Sequence, residues 1–333
     1  MDNKETIQFN KFIYDTEWNI SGAFSFFEYI VYFIEKVRHF TGGSPVKSVH
    51  DCIHNGLWNS GRVRQSHRFN KPYIDQIFRV YHELNIPLYL TFSNHKITEK
   101  DINDVDCNYL LDNLNKYNNG ENGVIVSSDI LSEYIKCKYP DLKQKASIIK
   151  TICEDGIKNL KYYKSLEQKF DGYVVALEDN FNTELLLELD KTKAEILVNE
   201  RCVYNCPNRK EHYNLIADMH YNDNMIFVEK VIDFLNVKCF ANPMMKQINK
   251  FKNCQLSFEE LQNIYSIGFR KFKLQGRLSG TIMNLLHDLS YYLFDSKSSL
   301  KIFHTFSELF MDDQLIKNYF KSGRSIKDIS KQI

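Results

Sequence analysis

The sequence predicts an α/β protein folded as a (β/α)8 TIM-type barrel with helical extensions at both ends. From about residue 85 onward, short apolar runs alternate with stretches of helical periodicity. Counting one run nearer the start gives about eight strand candidates separated by helices, a number that closes a parallel barrel through right-handed crossovers. No G-x-G-x-x-G turn follows any of the runs, which weakens the open doubly wound alternative. The chain has 333 residues, long enough for either two ordinary domains or one barrel of about 250 residues with extensions. The expected layout is an N-terminal helical extension over residues 1–44, the barrel over 45–298 and a C-terminal helical cap over 299–333.

Each element has its own signal. Strands are expected at 46–50, 87–92, 123–126, 146–149, 172–177, 195–198, 237–240 and 269–274, each a short β-branched or aromatic run. Between them, Leu110, Leu111 and Leu114 at helical spacing mark a helix over 108–117. Ser128 and Ser257 offer N-caps to helices over 130–138 and 257–267, and Gly268 is a C-terminal stop. Further helices are expected at 156–168, 183–189 and 281–294. In the tail, Ile302, Phe303, Phe306, Leu309 and Phe310 form amphipathic patches that suit a docked cap.

Composition narrows the function classes. Lys plus Arg is 43 against 42 Asp plus Glu, a net charge of +1, which argues against nucleic-acid binding through a whole-domain basic field. Eight cysteines in a chain this long do not make a secreted disulfide scaffold. The N-terminal residues, with Asp2 and Glu5, lack the basic stretch of a signal peptide. The apolar stretch 20–34 is interrupted by Glu28 and falls short of the roughly 20 residues that a spanning helix needs. A cytoplasmic protein with reduced thiols and no membrane span is the expectation. Phe24, Phe26, Phe27, Tyr29, Tyr32 and Phe33 are expected to cap the core or to form a homodimer interface.

In a barrel of this kind, chemistry gathers at the C-terminal ends of the strands. Those ends carry His50, Asp51, Cys52 and His54, then Thr91, Ser93, Asn94 and His95. Glu178, Asp179 and Asn180 follow, then Asn199, Glu200, Arg201 and Cys202, and finally Lys273, Gln275 and Arg277. The catalytic candidates are Asn94, His95, Asn199, Arg201, Lys273 and Arg277, with the arginines and the lysine orienting an anionic or carbonyl-bearing substrate. Arg62, Arg64, His67 and Arg68 suit either a phosphate or carboxylate clamp or a solvated loop. Neither G-x-S-x-G nor a P-loop occurs, which disfavours serine hydrolysis and P-loop nucleotide chemistry.

The segment 199–212 is the sharpest motif. Cys202 and Cys206 stand in C-x3-C spacing, followed by Pro207, Arg209 and His212, with Cys239 and Cys254 downstream. Four thiolates suit an iron–sulfur cluster or Zn²⁺, and four buried thiols with no shared role suit the spacing as well. The C-x3-C-x2-C signature of radical enzymes is not met, because position 209 is Arg. Cys107, Cys137 and Cys153 read as ordinary packing residues.

The Cys-x3-Cys-Pro-x-Arg-x2-His segment, together with Phe272-Lys-Leu-Gln-Gly-Arg277 behind a helix that ends in Gly268, resembles the peptidase U32 family. Thr91-Phe-Ser-Asn94 is similar to that family's early strand end, and Gln275 stands where the family has an acidic residue. The resemblance covers about residues 45–290 and implies a barrel enzyme of peptidase or hydroxylase type. It also implies a [4Fe–4S] cluster, which several members hold, with ligands at Cys202, Cys206, Cys239 and Cys254. The alternatives are a cluster-free barrel enzyme acting on an anionic metabolite or sugar, and a non-catalytic binding or scaffold barrel.

Overall fold

The computed structural model describes residues 8–53, 56–60, 71–221, 225–239, 252–276 and 282–311. Eight strands pair in chain order, each parallel to its neighbours, and the eighth pairs back onto the first to close the barrel. They are β1 (Glu17–Ser21), β2 (Val46–Asp51), β3 (Leu88–Phe92), β4 (Gly123–Val126), β5 (Lys143–Ala146), β6 (Gly172–Val174), β7 (Ala194–Leu197) and β8 (Lys271–Leu274). The crossovers carry α1 (Phe27–Thr41), α2 (Lys71–Glu83), α3 (Val105–Lys116), α4 (Asp129–Lys138), α5 (Ile148–Cys153), α6 (Leu160–Lys169) and α7 (Thr183–Glu188). Between β7 and β8 run α8 (Arg209–Tyr221), α9 (Met225–Val237) and α10 (Phe258–Ser266), and α11 (Ile282–Leu293) and α12 (Ser296–Met311) follow β8.

Side chains alternate across a strand, and here the alternation separates two chemistries. Trp18, Ile20, Val49, Leu88, Leu90, Phe92, Val124, Val126, Ile196, Phe272 and Leu274 are buried in the apolar layer beneath the helices. The opposite parity gives Asn19, His50, Tyr89, Lys145, Glu195 and Lys273, which meet inside the barrel. A barrel lumen is ordinarily filled by branched aliphatic side chains, so this polar filling is the fold's distinguishing property. Helix starts follow the expected capping chemistry. Ser128 accepts from Leu131 N, and Ser257 with Glu260 closes a capping box on α10. Gly268, at φ +107°, provides the left-handed turn that ends the segment.

Polar lumen residues also explain where sequence and structure part. The first strand, β1, falls inside residues 1–44, the stretch expected to be a helical extension. Its Glu-Trp-Asn-Ile-Ser pattern hides it from a search for apolar runs. The barrel therefore begins at Glu17 rather than at 45. The strand expected at 146–149 lies at Lys143–Ala146, where Lys143 and Lys145 face inward, and the apolar residues that follow belong to α5, capped by Ser147. The strand expected at 237–240 does not form among the described residues. Val237 ends α9, and the N–H groups of Lys238 and Cys239 both bond back to Phe234 O. Phe240 lies outside the described residues.

The aromatic residues near the N-terminus are absorbed within the chain. Phe24, Phe27, Tyr32 and Phe33 are buried, and α12 lies against α1 through Phe33–Phe306 and Tyr29–Phe310 ring contacts at 5.0 and 4.9 Å. Among the described residues no helix is long and apolar enough to cross a membrane.

Gly123 makes the lumen's packing testable. A Cβ at this position would stand 2.3 Å from Lys143 O and 2.7 Å from the Tyr89 ring, and neither a strand carbonyl nor a buried ring can retreat cheaply. Gly123→Ala is expected to destabilise the fold by about 1–3 kcal/mol, the usual range for overpacking. Gly120→Ala serves as a comparison for a left-handed glycine with no atom within 4 Å of its Cβ position. Urea denaturation of the two variants checks the difference.

Candidate functional site

The lumen is organised around one carboxylate. Glu195, 2% exposed, lies 2.9 Å from Lys145 Nζ through Oε1 and 3.7 Å from Lys273 Nζ through Oε2. Burial pushes its carboxyl up, but the two ammonium groups outweigh burial and hold it below the ordinary glutamate range. Burial likewise lowers Lys145, and the Glu195 charge outweighs it, so that the lysine is held above its usual value. Lys145 Nζ also sits 4.5 Å from the centre of the Tyr89 ring.

Glu195 fixes the groups above it in turn. A carboxylate only accepts, so the Asn19 side-chain amide turns its Nδ2 toward Glu195 Oε1, at 3.5 Å. That orientation leaves Asn19 Oδ1 to accept from His50 Nδ1, 2.6 Å away. His50 Nδ1 therefore carries a proton, so that in the neutral form of the ring the lone pair would be on Nε2. His50 lines a recess at the C-terminal mouth with Ser21, Thr91, Ser93, Ser147, Lys273 and Gln275. The recess encloses about 40 Å³, room for about three waters at the roughly 10–15 Å³ each requires. The Gln275 amide has both polar atoms buried and no hydrogen-bond partner among the described residues.

The expected catalytic residues separate into two groups. Lys273 lines the mouth, whereas Asn94 clasps the neighbouring loop. Its Nδ2 donates to Leu57 O and its Oδ1 accepts from Lys96 N, at 2.8 and 3.0 Å. His95 points to α8, with Nε2 2.8 Å from Asn214 Oδ1, and burial lowers its pKa. Asn199 and Arg201 both donate to Asp288 on α11, at 2.8 and 3.0 Å, and Asn199 also donates to Gln275 O. These side chains hold the rim rather than face the recess. Arg277, His54, Arg62, Arg64, His67 and Arg68 lie outside the described residues. The residues not singled out beforehand are Asn19, Lys145 and Glu195, and their only signal was a charged or amide side chain in the middle of a strand.

The thiols form a second cluster on the far side of the mouth wall. Arg209 Nε is 3.5 Å from Cys202 Sγ, and its terminal nitrogens reach Cys254 Sγ at 3.4 Å, Val203 O at 2.6 Å and the Glu178 carboxylate. Beside the Cys202 thiol and the Arg209 guanidinium, the Cys206 thiol is held below its ordinary value. Cys202 is correspondingly pushed up, and burial raises Cys254 to about 12. Cys254 packs with Leu197 and Ile148, which also line the mouth. The four-thiolate set that the resemblance implies does not fit this arrangement. A guanidinium bonded to both sulfurs stands between Cys202 and Cys254, and among the described residues no group of three or more His, Cys, Asp or Glu is placed to hold a metal ion. Cys239, just beyond α9, completes no such group among the described residues.

Comparison with known proteins adds a fold likeness. No family model matches the chain, and no curated protein matches it. A solved structure described as a U32 peptidase is similar, at 11% identity and a TM-score of 0.45, over 83% of this chain and 95% of that one. The chain is a (β/α)8 barrel with a distant resemblance to that structure.

Glu195→Gln is expected to cost about 3–5 kcal/mol at neutral pH, because it leaves two buried ammonium groups without their carboxylate. The folded-state value of Glu195 is depressed, so its contribution is present above the unfolded value of about 4.3. It is lost as pH falls through the lower folded value. The stability difference between wild type and the variant therefore shrinks in acid, as chemical denaturation at pH 7 and near pH 3 measures.

Proposed function

We propose that the chain is an enzyme acting at the C-terminal mouth of the barrel on a small anionic substrate that bears a hydroxyl or carbonyl group, without an iron–sulfur cluster. The observation that carries this reading is the Glu195–Asn19–His50 chain. A buried carboxylate held by two lysines fixes an amide, and the amide fixes the tautomer of a histidine in the recess. A general base needs that combination of defined tautomer and rigid support. His50 Nε2 takes the proton from a substrate hydroxyl or from a carbon beside a carbonyl. The Lys273 ammonium stabilises the negative charge that develops on the substrate oxygen. Gln275 binds: its amide offers one acceptor and two donors, and a buried unsatisfied polar group costs about 1–3 kcal/mol until a ligand meets it.

The test combines binding, turnover and stability. Ligand-observed NMR is run on small 2-oxo acids, 2-hydroxy acids and sugar phosphates with wild type, Gln275→Leu, Lys273→Met and His50→Gln. Lys273→Met is expected to weaken binding about 10–100-fold, the equivalent of a charged hydrogen bond of about 1.5–3 kcal/mol. Gln275→Leu is expected to weaken binding while leaving the melting temperature unchanged or higher, and His50→Gln to bind without turnover. The reading fails if no member of the panel binds. It fails equally if binding is indifferent to Lys273 and Gln275, or if His50→Gln turns over at the wild-type rate.

A further inference from the structure

Two lysines share the Glu195 carboxylate, and they do not stand alike. Lys145 Nζ is 2.9 Å from Oε1, a charge-assisted hydrogen bond, whereas Lys273 Nζ is 3.7 Å from Oε2, an ion pair beyond hydrogen-bond range. Glu195 therefore holds Lys145 the more firmly. The two side chains also serve opposite ends of the barrel. Lys145 lines a cavity of about 270 Å³ whose wall includes Glu17, Lys143 and Lys271, the first residues of β1, β5 and β8. Lys273 lines the recess at the other end, together with His50 and Gln275. Asn19 joins Lys273 to the histidine: it is the register partner of Lys273 across β1 and β8, and its Oδ1 is 2.6 Å from His50 Nδ1. A buried amine beside a second cation, with a base across the same recess, is an arrangement that supplies lysine nucleophiles to carbonyl chemistry.

On the reading of the mouth as a reaction site, we infer that Lys273 is a covalent catalyst that forms a Schiff base with a 2-oxo acid. Lys273 Nζ passes one proton to His50 Nε2 and attacks the carbonyl carbon, and the C=O double bond opens. One of the two protons left on nitrogen moves to the oxygen, giving a carbinolamine. His50 then returns its proton to the hydroxyl, the C–O bond breaks, water leaves, and an iminium C=N bond remains. In sum an ammonium and a carbonyl become an iminium and a water, with no net gain or loss of protons or electrons. The nitrogen carries one positive charge before and after, so Glu195 keeps both of its cations throughout. The recess encloses about 40 Å³, which brings the reacting carbonyl and the anionic group onto neighbouring atoms, as in a 2-oxo acid. Gln275, two residues after Lys273 and lining the same recess, binds the carboxylate through its amide N–H groups. Lys273 is 6% exposed, so the iminium is shielded from bulk water, and the flexible four-carbon stem carries the nitrogen to the substrate.

The experiment incubates the full chain with pyruvate and sodium cyanoborohydride, which reduces the imine to a stable amine, and maps the peptides by mass spectrometry. Wild type is expected to gain the mass of one pyruvic acid less an oxygen atom on Lys273, about ten-fold faster or more than on exposed Lys47. Lys273→Arg, which keeps a cation beside Glu195 and cannot form an imine, is expected to lose that adduct. His50→Gln is expected to form it about 100-fold more slowly, the low end for general acid–base catalysis. The proposal is overturned if the adduct spreads over exposed lysines without preference for Lys273, if Lys145 carries it, or if His50→Gln traps at the wild-type rate. It is overturned equally if no adduct forms. Ligand-observed NMR then separates the two failures. Pyruvate binding that depends on Gln275 keeps the mouth as a site and removes the covalent step alone, whereas no binding by any member of the panel removes both. Trapping on wild type stands even if a variant fails to fold.

Discussion

The Glu195 carboxylate is the constraint on which the interior of this barrel depends. Taking a carboxylate and two ammonium groups out of water is expensive, by several kcal/mol per ion even after relaxation. Their attraction offsets that cost only when the geometry is good. Here Lys145 meets the criterion at 2.9 Å, and Lys273 lies farther off at 3.7 Å. An aliphatic filling of equal volume would often be as stable or more so. The charged filling therefore makes poor sense as a stabilising device and good sense as a support. It fixes the Asn19 amide and, through it, the proton position on His50.

The same constraint decides how much of the fold was legible in the sequence. Strands that read as unbroken runs of apolar and aromatic residues, such as β3, where Tyr89 and Thr91 alternate with Leu88, Leu90 and Phe92, or β4 with Val124, Ile125 and Val126, stand out. A strand that turns Asn19 or Lys145 into the lumen reads as surface, because alternation of polar and apolar side chains ordinarily means one face in water. Thus β1 vanished into the supposed extension and β5 was displaced onto the apolar start of α5. The eightfold count survived because one spurious strand at 237–240 stood in for the missing β1. Helix boundaries fared better, since Ser128, Ser257 and Gly268 act through local backbone chemistry that the lumen does not influence.

For the site, proximity to strand ends was a sound guide to the region and a poor guide to roles. Asn94, Asn199 and Arg201 are polar and lie at strand ends, yet each is occupied with backbone carbonyls or with Asp288. Such residues satisfy the loops that frame a barrel mouth, and in sequence they resemble catalytic groups. What distinguishes His50 is its partner Asn19, and what distinguishes Gln275 is a side-chain amide with no partner among the described residues. Both are properties of three-dimensional pairing, because Asn19 and Glu195 are 176 residues apart in the chain.

The mouth and the thiol cluster differ in the kind of support each receives. His50 is held from beneath by the rigid strands of the barrel, as proton transfer requires, since a base must keep one orientation through the reaction. Cys206 lies on a turn between β7 and α8, where its N–H bonds to Val203 O. Arg209 links that turn to Glu178 after β6 and to Cys254 before α10, so the guanidinium beside the thiols is anchored. The wall of Leu197 and Ile148 between the two centres is apolar, which discourages a proton from passing from the thiol pair to the mouth. A change in the thiols would therefore reach the mouth through packing at this wall and through the Arg209 anchors, rather than by shared acid–base chemistry.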